Sequence, residues 1–337
     1  MNEKGFQGVV GHADVVAALK NALRRGRVSH AWLFAGEEGS GKHFLAKTFA
    51  AALLCREGGD EPCMQCASCR RILAGTQPDL VELVREKPDI ISVREVREQI
   101  VGTVGMKPYD SRYKVYILDD AEKMNPQAQN ALLKTIEEPP SYVILLLLAN
   151  SPEALLPTIL SRCARVDVRS VPDARVCDFL IREHHVSKKE AGIAAAFAQG
   201  NVGRAKEIAL GGTFASRCEA VLGLAGHARE FSLARLSSAS EAILKEGAGV
   251  REIQEILRLW YRDVLVYKAT GDPEMTVFRR TPEEAARVRA EAALLSYEGL
   301  GEILDAIERT GDAVRANVSP NLAMELLFAV IAEQEYG

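Results

Sequence analysis

Gly36-Glu37-Glu38-Gly39-Ser40-Gly41-Lys42-His43 follows a short apolar run, Ala31-Trp32-Leu33-Phe34-Ala35, and opens a helical run from Phe44 to Leu54. Strand, glycine-rich turn and helix is the context that a phosphate-binding loop requires, and the spacing fits G-x-x-x-x-G-K. The glycines let successive backbone N–H groups converge on phosphate oxygens at a helix N-terminus, and the lysine adds a point charge. The next position ordinarily carries a Ser or Thr hydroxyl that ligates magnesium; here it is His43. Magnesium prefers hard oxygen donors, and an imidazole is a poor substitute. The sequence thus presents a phosphate loop, Gly36, Gly39, Ser40, Gly41 and Lys42, without its metal-binding hydroxyl. An incidental glycine turn is the alternative, and the flanking strand and helix weigh against it.

Outward from that loop the pattern alternates. Val15, Val16, Leu19, Ala22 and Leu23 share one helical face, so Ala13 to Arg25 forms a helix that Gly26 ends. Asp79 to Val84 reads as a short strand. Ser92 with Glu95 is a capping box, and Val93, Val96, Ile100 and Val104 continue it as a helix. Lys114 to Leu118 is a central strand that ends in Asp119-Asp120. Asn125-Pro126 starts a helix that Pro139-Pro140 stop. Val143 to Ala149 is apolar throughout, as a strand buried on both faces requires. Strands alternating with helices predict a parallel α/β sheet over roughly residues 1–168.

Beyond Val168 strand signals nearly vanish. Ser187 with Glu190 caps a helix to Gln199, and Gly200-Asn201-Val202-Gly203 breaks it. Val250, Ile253, Ile256, Leu257, Trp260 and Val264 form one stripe, Thr281-Pro282 starts another helix, and Leu322, Leu326, Leu327, Val330 and Ile331 form a last stripe. Three parts follow: an α/β module over 1–169, a small helical piece over 170–209, and an all-α domain over 210–337.

Net charge is −4 with 47% apolar and 26% charged residues, an ordinary globular balance with no global pull toward nucleic acid or membrane. No apolar run reaches transmembrane length, and Met1 to Gly11 has no apolar signal core. Seven cysteines, an odd count, point to a reducing cytoplasm. Four of them, Cys55, Cys63, Cys66 and Cys69, cluster with spacings that suit a closed tetrahedral structural zinc site; disulfides are the alternative, and the compartment argues against them.

The carboxyl ends of parallel strands are where such sheets place ligands. Asp119 there suits magnesium and Asp120 a water-polarising role, against the plainer reading of a solvated strand end. Asn150 is a turn former or a polar group aimed at phosphate. Arg162 in Ser161-Arg162-Cys163, on residue chemistry alone, is a surface salt bridge.

Tyr113-Lys-Val-Tyr-Ile-Leu-Asp-Asp-Ala-Glu-Lys-Met124, Asn130-Ala-Leu-Leu-Lys-Thr-Ile-Glu-Glu-Pro-Pro140 and Ile159-Leu-Ser-Arg-Cys163, with Ser29-His-Ala-Trp-Leu-Phe34 before the glycine loop and the four cysteines after it, resemble the bacterial DNA polymerase III clamp-loader subunits. The likeness covers about residues 8–210; beyond that only helical character agrees. It implies an AAA+ parallel-sheet P-loop module with an inserted zinc knuckle at 55–69, a small helical lid, and a C-terminal all-α collar that oligomerises. It implies as partners the gamma/tau and delta subunits, the sliding clamp, and primed DNA reached through the assembled complex.

Two subunits of that family share these motifs, the ATP-hydrolysing gamma/tau motor and delta-prime. His43, and Asp120 where the motor carries a glutamate, resemble delta-prime, as does a chain ending at Gly337 without the long tail of tau. The resemblance implies Arg162 as an arginine finger toward a neighbour's ATP, Arg204 at the sensor-2 position and Asn150 near sensor 1. It implies a largely non-hydrolysing part of the DNA-directed DNA polymerase complex, its own ATPase weak or absent, with ATP and magnesium binding weakened. The rivals are a gamma-like motor that tolerates His43 and a zinc-dependent DNA-binding module.

Overall fold

The computed structural model describes residues 4–278 and 282–334. Contacts group the chain into two units. One holds residues up to Phe179 together with Gln199–Arg204; the other holds Leu180–Ala198 and the chain from Ala205 onward. The segment 170–209, set apart in the sequence reading, is divided between them.

In chain order the first elements are α1 (Ala13–Arg24), β1 (Ala31–Ala35), α2 (Lys42–Leu54), α3 (Ala67–Leu73), β2 (Leu80–Glu82), α4 (Val93–Val96), β3 (Lys114–Leu118), α5 (Pro126–Glu137), β4 (Val143–Ala149), α6 (Pro157–Leu160) and β5 (Ala164–Asp167). The five strands form one sheet in the order β2-β3-β4-β1-β5, and every pairing is parallel. Ala35 lies opposite Ala149, and Leu118 opposite Leu147. The loops after β1, β3 and β4 therefore emerge side by side at the carboxyl edge of the sheet.

Every residue of β1, β3 and β4 is buried. Trp32 and Phe34 face Leu45, Phe49 and Leu53 on one side of the sheet, while Leu33, Tyr116 and Leu118 face Val96, Leu132 and Ile136 on the other. Trp32 meets Phe49 edge to face at 5.1 Å, and its indole N–H donates to Ser29 O at 2.9 Å. Unlike the three central strands, β5 is an edge strand that buries Val166 between exposed Arg165 and Asp167.

The Ser92–Glu95 capping box is formed at α4. Past Val96 the helix widens over Arg97–Val101, where Gly102 N–H reaches back five residues to Arg97 O at 2.7 Å.

The remaining helices are α7 (Asp173–His184), α8 (Lys188–Ala198), α9 (Val202–Leu210), α10 (Phe214–Gly226), α11 (Leu233–Lys245), α12 (Val250–Thr270), α13 (Pro282–Leu294), α14 (Tyr297–Arg315) and α15 (Pro320–Glu333). Thr281 lies outside the described residues. Among the described residues the second unit contains no strand. Its core gathers Leu257, Trp260, Ile303, Ile307, Leu327 and Phe328. On α15 the burial differs from the expected stripe. Met324, Leu327, Phe328 and Ile331 are buried, but Leu322 and Leu326 are 49% and 58% exposed. Those two residues are four apart and share a face that the helix turns away from the core.

Candidate functional site

The glycine loop runs from the buried end of β1 into the first turn of α2. Gly39 and Gly41 adopt φ of +73° and +94°, a region that residues with a Cβ rarely occupy. A Cβ at Gly39 would also stand 2.0 Å from Asn201 Nδ2.

Lys42 is buried and points into the loop that precedes it. Its Nζ donates to Gly36 O at 2.8 Å, to Glu37 O at 2.7 Å and to Asn150 Oδ1 at 2.8 Å. Burial lowers its pKa, opposed by Asp119, Glu122, Asp120 and Glu38, which favour the ammonium. Asn150, at the end of β4, uses its amide as a bridge: Nδ2 donates to Glu122 Oε1 at 2.7 Å and to Asp120 Oδ1 at 3.1 Å. The remaining Glu122 oxygen, Oε2, is buried and has no hydrogen-bond partner among the described residues.

The two acids after β3 differ. Asp119 is partly exposed, and its Oδ2 lies 3.7 Å from His43 Nδ1. The other ring nitrogen, His43 Nε2, is 3.1 Å from Glu82 Oε2, and Lys47 Nζ holds Glu82 Oε1 at 2.6 Å. Asp120 occupies the left-handed region, with φ of +51°. Its Oδ2 accepts from Arg85 Nη1 at 2.8 Å and Lys123 Nζ at 2.9 Å. Burial pushes the Asp120 pKa up, but Lys123 and Arg85 together outweigh it and hold the carboxyl below its ordinary range. A carboxylate so occupied is a weak proton acceptor.

Two more side chains touch the loop from outside. Asn201 Nδ2 donates to Glu38 O at 2.8 Å, and His12 Nε2 lies 3.3 Å from Ser40 O. Asn201 Oδ1 also accepts the Arg204 N–H at 2.8 Å, at the start of α9. The segment expected to bring Arg204 to the site thus touches the glycine loop through Asn201.

The structure brings Gly36, Gly39, Ser40, Gly41, Lys42, His43, Asp119, Asp120 and Asn150 to one edge of the sheet. Arg162 stands apart from that set. Its Nη2 pairs with Glu137 at 3.1 Å, and its Nη1 donates to Thr158 O at 3.0 Å and Ser161 Oγ at 3.3 Å. Sequence reasoning missed Arg85, Glu122, Asn201 and His12 as members. The available signals were an arginine three positions past β2, an acid inside the β3 exit turn, and an Asn and a His each beside a glycine at a helix start.

The four cysteines converge. All four sulfurs lie within 4.8 Å of one another. Cys55 follows the last residue of α2, and Cys66 caps α3 with its sulfur accepting the Cys69 N–H at 3.5 Å. Cys66 N–H also points at Cys63 Sγ at 3.2 Å, and Cys63 N–H at Cys55 Sγ at 3.5 Å. Burial pushes the Cys55 and Cys69 thiols up. At Cys66 burial pushes the same way, but N–H groups of Cys69 and Arg56 outweigh it and bring that thiol to about 6. Zinc–thiolate bonds of about 2.3 Å place tetrahedral sulfurs roughly 3.8 Å apart, so this donor set fits a metal ion of that kind.

A five-stranded parallel sheet with a glycine loop after β1, acids after β3, an asparagine after β4 and an all-helical second unit defines an AAA+ P-loop module. The family model described as "DNA polymerase III, delta subunit" matches residues 11–172. The delta' subunit of DNA polymerase III from Bacillus subtilis is 34% identical over 327 residues, 95% of each chain. The chain belongs to the DNA polymerase III clamp-loader subunit family that includes delta', tau and gamma. Tau of B. subtilis is 27% identical over 98% of this chain, which spans 62% of that protein. The tau/gamma subunit of Haemophilus influenzae is 38% identical over 52% of this chain, which spans 25% of it. Among solved structures, a gamma subunit-related protein of Thermotoga maritima aligns with 95% of this chain and 99% of its own, at 20% identity and TM-score 0.46. Among the described residues no single helix is long and apolar enough to cross a membrane.

Proposed function

We propose that this chain is a delta-prime-like member of the clamp loader, working in the cytoplasm with gamma/tau and delta subunits to place the sliding clamp on primed DNA. It hydrolyses little nucleotide itself and contributes Arg162 to the ATP site of a neighbour. The observation that carries this is the state of the acid pair. Arg85, Lys123 and Asn150 occupy both oxygens of Asp120, and a histidine stands beside Asp119 where a magnesium-binding hydroxyl is expected. The glycine loop and Lys42 would hold nucleotide phosphates by backbone N–H groups and charge. The 34% identity with a delta' subunit over 95% of this chain supports this assignment. Cys55, Cys63, Cys66 and Cys69 would hold one structural zinc, with all four positions taken by protein.

Arg162 is paired with Glu137, but the two side chains are 40% and 46% exposed. Such pairs contribute about 0–1 kcal/mol, so little holds the guanidinium back from a phosphate. Arginine fingers given in trans contribute about 10³ to 10⁵ in rate in well-studied phosphoryl-transfer systems, and one site among several shows a smaller net loss. Arg162→Ala in a reconstituted, fully assembled complex is expected to lower the DNA-stimulated ATPase while the melting temperature of the free chain stays within about 2 °C of the parent. An unchanged ATPase removes the finger. The motor reading is tested separately: robust hydrolysis by the isolated chain, abolished by Lys42→Ala, would establish it.

A further inference from the structure

The carbonyls of the glycine loop are held from outside by two side chains that arrive from distant parts of the chain. Asn201, from the start of α9, donates to Glu38 O, and His12, just before α1, reaches Ser40 O. Each of these carbonyls belongs to the peptide whose N–H is carried by the next residue, Gly39 or Gly41. In a trans peptide the C=O and that N–H point in opposite directions. Drawing Glu38 O toward Asn201 therefore turns the Gly39 N–H away from Asn201. Drawing Ser40 O toward His12 turns the Gly41 N–H away from His12. Backbone amides aimed together in this way make a concave anion site.

Two further observations agree. Ser40 is 4% exposed, and its Oγ has no hydrogen-bond partner among the described residues, although it stands inside the loop beside Gly36. His12 sits in the left-handed region, with φ of +53°, a conformation that needs surrounding contacts to persist. The imidazole is half-buried and can meet a carbonyl only by donating from Nε2.

We propose that Asn201 and His12 are positioning residues of the phosphate loop, bracing its outer carbonyls so that the Gly39 and Gly41 amides are already directed at the polyphosphate of a nucleoside di- or triphosphate. The inference rests on the reading that this loop receives nucleotide phosphates. It adds that the alignment is built into the protein before any ligand arrives. Because the brace acts on backbone amides, its effect is on phosphate affinity and does not depend on magnesium.

The test is equilibrium binding of a fluorescent ADP analogue to the purified full chain, with magnesium and with EDTA, using inorganic pyrophosphate as competitor. Asn201→Ser keeps an oxygen to cap the Arg204 N–H but loses the arm that donates to Glu38. His12→Ala removes the other brace. Each is expected to weaken the analogue about tenfold, roughly the effect of one lost hydrogen bond. Pyrophosphate, which has neither base nor sugar, should weaken in the same proportion, with and without magnesium, while the melting temperature of the ligand-free chain moves by less than about 2 °C. Unchanged affinity in both variants overturns the brace alone. So does a loss that spares pyrophosphate, or one matched by a falling melting temperature. No binding by the unaltered chain, indistinguishable from Lys42→Ala, overturns the nucleotide reading and the brace together.

Discussion

His43 lies between Glu82 and Asp119, at 3.1 Å and 3.7 Å, and so fills with imidazole the position where a hydroxyl would meet magnesium. His43→Thr is expected to make nucleotide affinity magnesium-dependent, because a hydroxyl and the Asp119 carboxylate then both offer oxygen. Turnover should stay low, since Asp120 remains bound by Arg85 and Lys123. Titration with and without magnesium, beside steady-state phosphate release, checks both halves; brisk turnover in His43→Thr would show that the second acid is available after all. At this scale the sequence disclosed what is local. The glycine spacing, the lysine, the acid pair and the cysteine spacings are all read within a few residues. Asn201, His12 and Arg85 were not legible, because each meets its partner across a long stretch of chain, 163 residues from Asn201 to Glu38. The sequence reading set Asp120 apart only as an aspartate where the motor carries a glutamate. The geometry adds that both of its oxygens are already engaged.

Among the elements, the central strands and the caps were legible because each is dictated by its own residues. β4 is an unbroken apolar run, and Ser92 with Glu95 forms its box as the spacing requires. β5 was not named as a strand, since as an edge strand it commits only Val166 and its neighbour Val168 to the core. The widened turn after α4 was invisible too, for periodicity cannot separate a four-residue from a five-residue reach over one turn. The box carries a pH signature. Hydrogen bonding from Ser92 holds the Glu95 carboxyl below its ordinary range, against the opposing effect of burial. A depressed carboxyl stabilises the fold above its unfolded pKa and loses that contribution as pH falls through the folded value. Ser92→Ala should therefore cost about 1 kcal/mol at pH 7 and less near pH 3. Urea melts at the two pH values measure this, and an equal loss at both would detach Glu95 from the cap.

For the molecule as a whole, the two units have separate cores, and only the first carries the four-cysteine cluster. Metal analysis is expected to give about one zinc per chain. Chelation, or Cys66→Ser, should lower the unfolding transition of the sheet-bearing unit and spare that of the helical one. Transitions that fall together, or metal-free protein that melts unchanged, would contradict it. The helical unit has its own acid-base signature. Burial pushes the Glu291 carboxyl up, more than the Trp260 N–H at 2.7 Å and the nearby Arg287 pull it down. A raised carboxyl favours the folded state below its unfolded pKa and loses that advantage as pH rises toward the folded value. Glu291→Gln, which keeps an acceptor for Trp260, should thus gain stability relative to the parent at pH 7 and gain less at pH 4, by paired thermal melts. The order of the sheet also has a consequence in time. β1 precedes both of its neighbours, β4 and β5, whose pairing residues follow Ala35 by more than a hundred positions. At about 5–20 residues per second, a ribosome leaves Ala31-Trp32-Leu33-Phe34-Ala35 without strand partners for roughly 6 to 23 seconds. The glycine loop is thus synthesised before the strands that complete its surroundings, and through that interval the apolar strand leading into it waits unpaired.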